Sequence, residues 1–240
     1  MMVNAAAEDA LERIAQRAAD VQSAFTPGAT SPFGDVVTDK AVSHAALDPL
    51  SIAAPPDAYF ITTDERGRTV YTRDGGLNLT GGTLVGVGGR AMLGFRSATS
   101  ATSELHVDDV DAELGRVNNL RIEADGSLAY DREVIDPRTG ERERERVAVG
   151  RVALARFPAA TKLAATDANH FLAPAGVTPH VGRAGDGNFA HLAPMQRETS
   201  RINFDRSLER LEEAYVAFDA LQAAHKARGA TGKTAMDLLK

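Results

Sequence analysis

The sequence predicts a mainly β chain: one compact antiparallel β domain of hairpins, flanked by N- and C-terminal α-helices with coiled-coil-like ends. Three observations predict it. Apolar residues recur at spacings of three and four at both ends of the chain, the period of a helix seam. Between the ends, short β-branched and aromatic runs follow period two, as half-buried strands do. Gly and Asp clusters separate those runs, and such clusters close antiparallel hairpins. The division is residues 1–30 for the N-terminal helix, 31–48 for a linker, 49–198 for the β-rich domain and 199–240 for the C-terminal helix and tail.

The first helix is read over Asn4 to Phe25. Its seam is Leu11, Ile14, Ala18, Val21 and Phe25. Pro27 and Gly28 end it, because neither continues a helix. The last helix carries the matching seam Phe204, Leu208, Leu211, Tyr215 and Phe218. Helices this short are marginal alone in water, so each needs a partner surface. The partner is either the β domain or other helices, those of neighbouring subunits included. The tail from Gly229 to Lys240 holds two glycines, Gly229 and Gly232, which interrupt the last turns.

In the middle, "YFITTD", "RTVYT", "LNLT" and "TLVGV" read as short strands. Asp74-Gly75, Gly81-Gly82 and Gly88-Gly89 read as their connections, at positive φ, where glycine is at little disadvantage. Gly75 in particular is expected in a tight turn. "LRIEADGSLAYD" reads as a hairpin about Asp125-Gly126. "VIDPRTGERERERVAVGRVALARF" reads as another, turning at Asp136 to Gly140, with an exposed ladder of alternating charge from Glu141 to Arg146.

Composition narrows the function. The net charge is −6 and the pI is near 5.5, so no basic footprint points to nucleic acid. With no cysteine, disulfides, thiol catalysis and thiolate metal sites are excluded together. No apolar run approaches the roughly 20 residues that span a bilayer, and the N-terminus has no basic region followed by an apolar core, so no cleaved signal is visible.

Two glycine motifs look like phosphate loops and lack the context. "GVGGRA", Gly86 to Ala91, fits the letters of a dinucleotide fingerprint, but no helical pattern follows it. "ARGATGKT", residues 227 to 234, resembles a P-loop, yet it follows a helix instead of a strand. His44, His106, His170, His180, His191 and His225 show no ligand spacing; His106 and Asp108 share a strand face as a weak pair at most. The expectation is a protein that is not an enzyme and uses no cofactor and no metal.

The glycine-rich segment carries a resemblance. "VYTRDGGLNLTGGTLVGVGGRAML" resembles a conserved-pattern segment of the flagellar rod and hook protein family through Tyr71, Thr72, Arg73, Asp74, Gly75, Leu77, Gly82, Leu84, Val85, Gly89 and Leu93. "PLSIAAPPDAYFITTD" is similar to the family's lead-in, with Ala58 and Tyr59 where the family has glycine and an aromatic. "IEADGSLAYD", then "VGRVALARFP" through Gly150, Val152, Leu154, Ala155 and Phe157, then "LAATDANHFLAPAG" follow in the family's order. At the ends the pattern departs: Ser23 stands where the family has asparagine, and Phe218 follows Ala214-Tyr215 where it has another asparagine.

The resemblance implies a structural subunit of the bacterial flagellar basal-body rod, assembling through its terminal helices into a tube that transmits torque. It implies helices lining the tube with the β domain outside. It also implies export by the flagellar type III apparatus without a cleaved signal, and a place in the periplasmic rod. The implied partners are copies of itself, other rod and hook subunits and the export apparatus; nucleic acid and a membrane span are not among them. The alternative is a divergent relative that does not polymerise and acts as a soluble binding or adaptor protein.

Overall fold

The structure, a computed structural model, describes residues 2–31, 34–37, 42–107, 118–135, 138 and 140–237. The chain is mainly β, with a helix at each terminus: α1, Met2–Ser23, and α2, Phe204–Asp237. The strands are β1 Ser43–Ala45, β2 Ile52–Ala53, β3 Tyr59–Thr63, β4 Thr69–Thr72, β5 Asn78–Thr80, β6 Thr83–Val85, β7 Ala91–Phe95 and β8 Thr102–Glu104. They continue as β9 Asn118–Ile122, β10 Ser127–Ile135, β11 Arg142–Arg156, β12 Ala164–Ala165, β13 His170–Leu172, β14 His180–Arg183, β15 Ala193–Pro194 and β16 Gln196–Glu198. Two units divide the chain: Met1–Phe25 with Thr30–Asp39 and Arg201–Lys240, and Thr26–Ala29 with Lys40–Ser200.

The β unit is layered by one strand. Val152-Ala153-Leu154-Ala155 alternates large and small apolar residues along β11, and all four are buried. Successive strand residues point to opposite faces. Val152 and Leu154 therefore join the main core with Phe60, Leu77, Leu84, Met92, Ile122 and Leu128. Ala153 and Ala155 join a second cluster with Ile61 and Tyr71, bordered by Tyr59 and Phe157. The small residues leave room for rings: Tyr71 and Phe157 meet edge to face at 4.8 Å, and Tyr59 meets Phe157 at 5.8 Å, a favoured aromatic geometry.

All strand pairs are antiparallel. The main sheet runs β12-β13-β4-β3-β11-β7-β6-β5, with β10 and β14 also on β11, β9 on β10 and β8 on β7. Two small pairs, β1 with β16 and β2 with β15, tie residues 43–53 to residues 193–198. The segment expected as a linker thus contributes β1 to a sheet. It also holds a 3-10 turn, Gly34–Val36.

Three of the expected hairpins form. Asp125-Gly126 joins β9 to β10, with Gly126 at φ 80°, and β10 pairs with β11 from Ser127↔Arg151 to Ile135↔Arg142. Asp136, Pro137 and Thr139 of the second turn lie outside the described residues, as does Asp108. Gly81 and Gly82, at φ 53° and 78°, close β5 on β6, the two-residue turn that matches strand twist.

Gly75 corrects the expectation. It is not among the glycines at positive φ, so no turn conformation demands it. What demands it is proximity: a Cβ there would collide with the carbonyl oxygen of Ile52, whose own N–H donates to the Gly75 carbonyl at 3.0 Å. The residue is glycine because β2 lies against it.

In the helix unit α1 and α2 pack antiparallel: Phe25 and Phe204 are ring neighbours at 5.1 Å, while Ala7 and Leu11 share a cavity wall with Phe218 and Leu221. Asn203 caps α2, its Oδ1 accepting from the Arg206 N–H at 3.0 Å, as asparagine commonly does at a helix start. The helix then runs on through Gly229 and Gly232 to Asp237. This differs from the interrupted tail expected: glycine weakens a helix but keeps the N–H that continues the ladder. Residues 227–234 are thus helical throughout, and Ala91 after "GVGGR" begins β7, so neither glycine motif has phosphate-loop geometry.

Gly75→Ala is expected to cost about 1–3 kcal/mol or more by overpacking against β2. Gly67 sits at φ 73° with open space around it, so Gly67→Ala is expected to lose only about 1–2 kcal/mol from the left-handed backbone. Urea unfolding of the two variants checks this. Equal costs would remove the contact explanation.

Candidate functional site

Each unit offers one candidate. On the helix unit it is the face of the paired helices. The α1 residues withdrawn from solvent are Ala7, Ala10, Ile14, Arg17, Ala18, Asp20, Val21 and Ser23; on α2 they are Ser207, Leu211, Ala214, Phe218 and Leu221. Both stripes keep the heptad spacing, but they are rotated by about one position from the seams expected. Of those seams, Ile14 is buried and Ala18, Val21, Leu211 and Phe218 are half-buried. The other large members stay in solvent: Leu11 51% exposed, Phe25 76%, Tyr215 50%, with Phe204 and Leu208 near 40%. Val216, which the seam did not include, is 69% exposed.

Ala7, Ala10 and Ala214 are among the residues withdrawn from solvent, so small side chains occupy much of the stripe. A cavity of about 550 Å³ opens among Ala7, Leu11, Phe218, Leu221 and His225.

A charged cluster sits at the Phe25 end of the pair. Arg17 grips Asp35 with both terminal nitrogens at 3.0 and 3.1 Å, and Arg210 Nε reaches the same carboxylate at 3.0 Å. Asp20 is buried beside them, 3.9 Å from Arg17. Burial pushes its carboxyl above the usual range, against the opposing pull of Ser31 and Arg17.

In the β unit the segment Tyr71, Thr72, Arg73, Asp74 and Gly75 forms a buried polar knot. Arg73, 3% exposed, donates through Nε to both Glu198 oxygens at 2.8 Å and through Nη2 to Glu198 again. Its Nη1 collects the carbonyls of Pro55 and Pro56, both at 3.1 Å, and of Ala58. The prolines have no N–H of their own, so this loop turns its carbonyls inward and the guanidinium satisfies them.

Asp74 repeats the arrangement with opposite sign. Arg197 meets it bidentately at 2.8 and 2.9 Å, and it accepts from the Gly76 N–H and from Asn169 Nδ2, each at 3.0 Å. Thr72 Oγ1 accepts the Asp74 N–H, and Tyr71 packs in the second core cluster. Arg197 and Glu198 are the members of this site that sequence reasoning missed; the complementary order of Arg-Asp at 73–74 and Arg-Glu at 197–198 was the available signal.

Beside the knot lies a cleft of about 570 Å³ bordered by Thr26, Arg66, Arg90, Asp167, Asn169 and His170. Asp167 accepts from the His170 backbone N–H at 2.9 Å and from its Nδ1 at 2.8 Å, while Arg90 reaches its other oxygen at 2.8 Å. Burial holds the His170 imidazole below its ordinary value of 6.5, outweighing Asp167. For Asp167, burial acts upward but the His170 and Arg90 partners bring the carboxyl down.

Among the described residues no three His, Asp or Glu side chains gather as a metal site, and no helix is long and apolar enough to cross a membrane. His106 Nδ1 is instead 3.1 Å from Thr83 Oγ1. No protein-family model matches the chain, and no curated protein matches it.

Two outcomes are expected. Arg73→Met strips Glu198 of its guanidinium and is expected to cost about 3–5 kcal/mol, the usual result of breaking a buried ion pair from one side; denaturant unfolding measures it, and a loss below about 1 kcal/mol would place the pair with surface bridges. For His170, the folded value lies below 6.5, so the unfolded chain takes up this proton first as the pH falls. Its contribution is present above 6.5 and lost on acidification below it, and His170→Asn should flatten that part of the stability–pH curve.

Proposed function

We propose that this chain is a structural subunit that assembles through its terminal helices, of the kind found in the bacterial flagellar basal-body rod. One observation carries the reading: Leu11, Phe25, Leu208 and Tyr215, at heptad spacing on each helix, stand in solvent on the paired helices although the pair already has a packed stripe of its own. Scattered exposed apolar residues are ordinary, but aligned ones on a two-helix unit mark an interaction face. A face used the same way by every copy, in a contact that does not close, builds a helical tube.

On this reading the helix pairs associate as coiled-coil-like bundles, and the β unit is a self-contained body held by the Arg73–Glu198 knot. The family resemblance from Pro49 to Gly176 supports the same assignment and adds the export route, the rod and hook partners and the periplasmic rod as its place. The protein is then not an enzyme, and its working residues are interface residues.

A second reading has its own observation. Because α1 and α2 pair within a single chain, the helices find a partner without a neighbour, which suits a non-polymerising adaptor whose exposed stripe binds another protein.

Leu11→Asp and Tyr215→Asp separate folding from assembly. Both residues are half exposed, so each variant is expected to unfold within about 0.5 kcal/mol of the parent yet lose polymer formation by sedimentation and motility in a complemented deletion strain. Ile14→Asp is the contrasting variant: it buries a charge and is expected to melt the helix pair itself, at several kcal/mol. A deletion strain whose rods stop at a fixed length supports the subunit reading; full-length rods in that strain, with monomers at every concentration in vitro, would leave the adaptor.

A further inference from the structure

A cleft of about 360 Å³ on the β unit is lined by three arginines, Arg96, Arg151 and Arg183, against one acid, Asp186. The chain as a whole carries −6, so this surface opposes the trend of the molecule. The pairing registers bring the arginines together. Arg151 lies opposite Phe95 across β11 and β7, and Arg183 lies opposite Ala153 across β14 and β11. Arg151 and Ala153 are two apart on one strand, so Arg151, Phe95, Ala153 and Arg183 share one face; Arg96 lies just past the end of β7 and borders the same cleft.

Two of the guanidinium groups are fixed in place by the protein. Arg183 lies over the Phe95 ring at 4.2 Å and its Nη2 donates to the carbonyls of Ser97 and Ala98 at 3.0 and 2.7 Å. Arg151 donates through Nε to Ser127 Oγ at 3.2 Å and through Nη2 to Asp125. Neither group is used up. Among the described residues, Nη1 of Arg151 and both Nε and Nη1 of Arg183 have no hydrogen-bond acceptor; Asp186 stays 3.8 Å from Arg183. Arg96, exposed at the cleft, has neither hydrogen bond nor ion pair among the described residues.

We infer that this cleft binds a small oxyanion group, a phosphate or a carboxylate. Planar guanidinium forks match such groups in pairs of hydrogen bonds, and forks already held by other contacts lose little freedom on binding. Asp125 positions Arg151 and offsets its charge: burial acts upward on its carboxyl, but Ser127 and Arg151 bring it down, so the excess cation of the cleft is Arg96, beside Arg183 and Asp186. The inference stands apart from the assembly reading, since it involves no residue of α1 or α2.

The test is a titration of the full chain, nitrogen-15 labelled, with inorganic phosphate and separately with glutarate at low ionic strength. Saturable amide shifts confined to residues 95–98, 127, 148–151 and 183–186 are expected with at least one of them, and the one that saturates first says whether the group is phosphate or carboxylate. Arg96→Gln should weaken that binding about ten-fold, the value of one lost charge-assisted hydrogen bond, while its spectrum otherwise matches the parent. Arg66→Gln, elsewhere on the β unit, should leave the affinity unchanged. Shifts that fail to saturate, that matched sodium chloride reproduces, or that saturate at the same concentration in Arg96→Gln as in the parent overturn the site.

Discussion

The β unit depends on the charge of Arg73. A guanidinium 3% exposed is tolerated only if anions and carbonyls replace the water it has lost. Here they come from the 54–58 loop, immediately before β3, and from Glu198, 125 residues along the chain. The requirement therefore reaches well beyond one side chain. It obliges β16 to return to the loop that precedes β3, which is also where β1 meets β16 and β2 meets β15.

The neighbouring pair makes that return specific. Arg73 meets Glu198 and Asp74 meets Arg197, so two dipeptides of the same charge order lie crossed. A slip of one residue would set Arg73 beside Arg197 in one direction or Asp74 beside Glu198 in the other, in either case a like-charge contact in a buried place. Short strands such as β2, β15 and β16 have little hydrophobic pattern with which to hold a register. The quartet holds it for them, and glycine at 75 lets β2 come close enough for the arrangement to form.

This explains what the residues disclosed and what they withheld. Asp125-Gly126 and Gly81-Gly82 announce their hairpins because a two-residue turn is a local event. The alternation in Val152 to Ala155 likewise shows a strand buried on both faces. Gly75 misleads because its neighbour, Ile52, is local in space and not in sequence, so proximity was read as a turn. "QRE" at 196–198 has no local signature, and its importance emerges only when Arg73 and Asp74 are beside it. In the helices the seam was weighed by large side chains, while Ala7, Ala10 and Ala214 occupy much of the stripe withdrawn from solvent. Alanine counts little in an apolar stripe, so the seam read from large residues lies about one position away.

The exposed surfaces of the two units are of contrasting kinds. Residues Arg142 to Gly150 of β11 pair on one side with β10 and, among the described residues, have no strand on the other, an edge of the sort that invites other strands. That stretch begins with alternating Arg and Glu, answered across the hairpin by Arg132 to Glu145 at 2.9 Å. In a two-fold antiparallel pairing of such an edge with its copy, opposed residues share a face, so each meets one an even number of positions away. In an alternating sequence that neighbour has the same charge: Glu faces Glu and Arg faces Arg, which is destabilising. The edge thus resists its own copy while satisfying its own hairpin partner. The helix pair lacks such an alternating ladder: Leu11, Phe25, Leu208 and Tyr215 stand in solvent, with the exposed acids Asp205, Glu212 and Asp219 beside Leu208 and Tyr215. Like charge thus opposes self-pairing along the strand, whereas the stripe that stands in solvent on the helices is apolar.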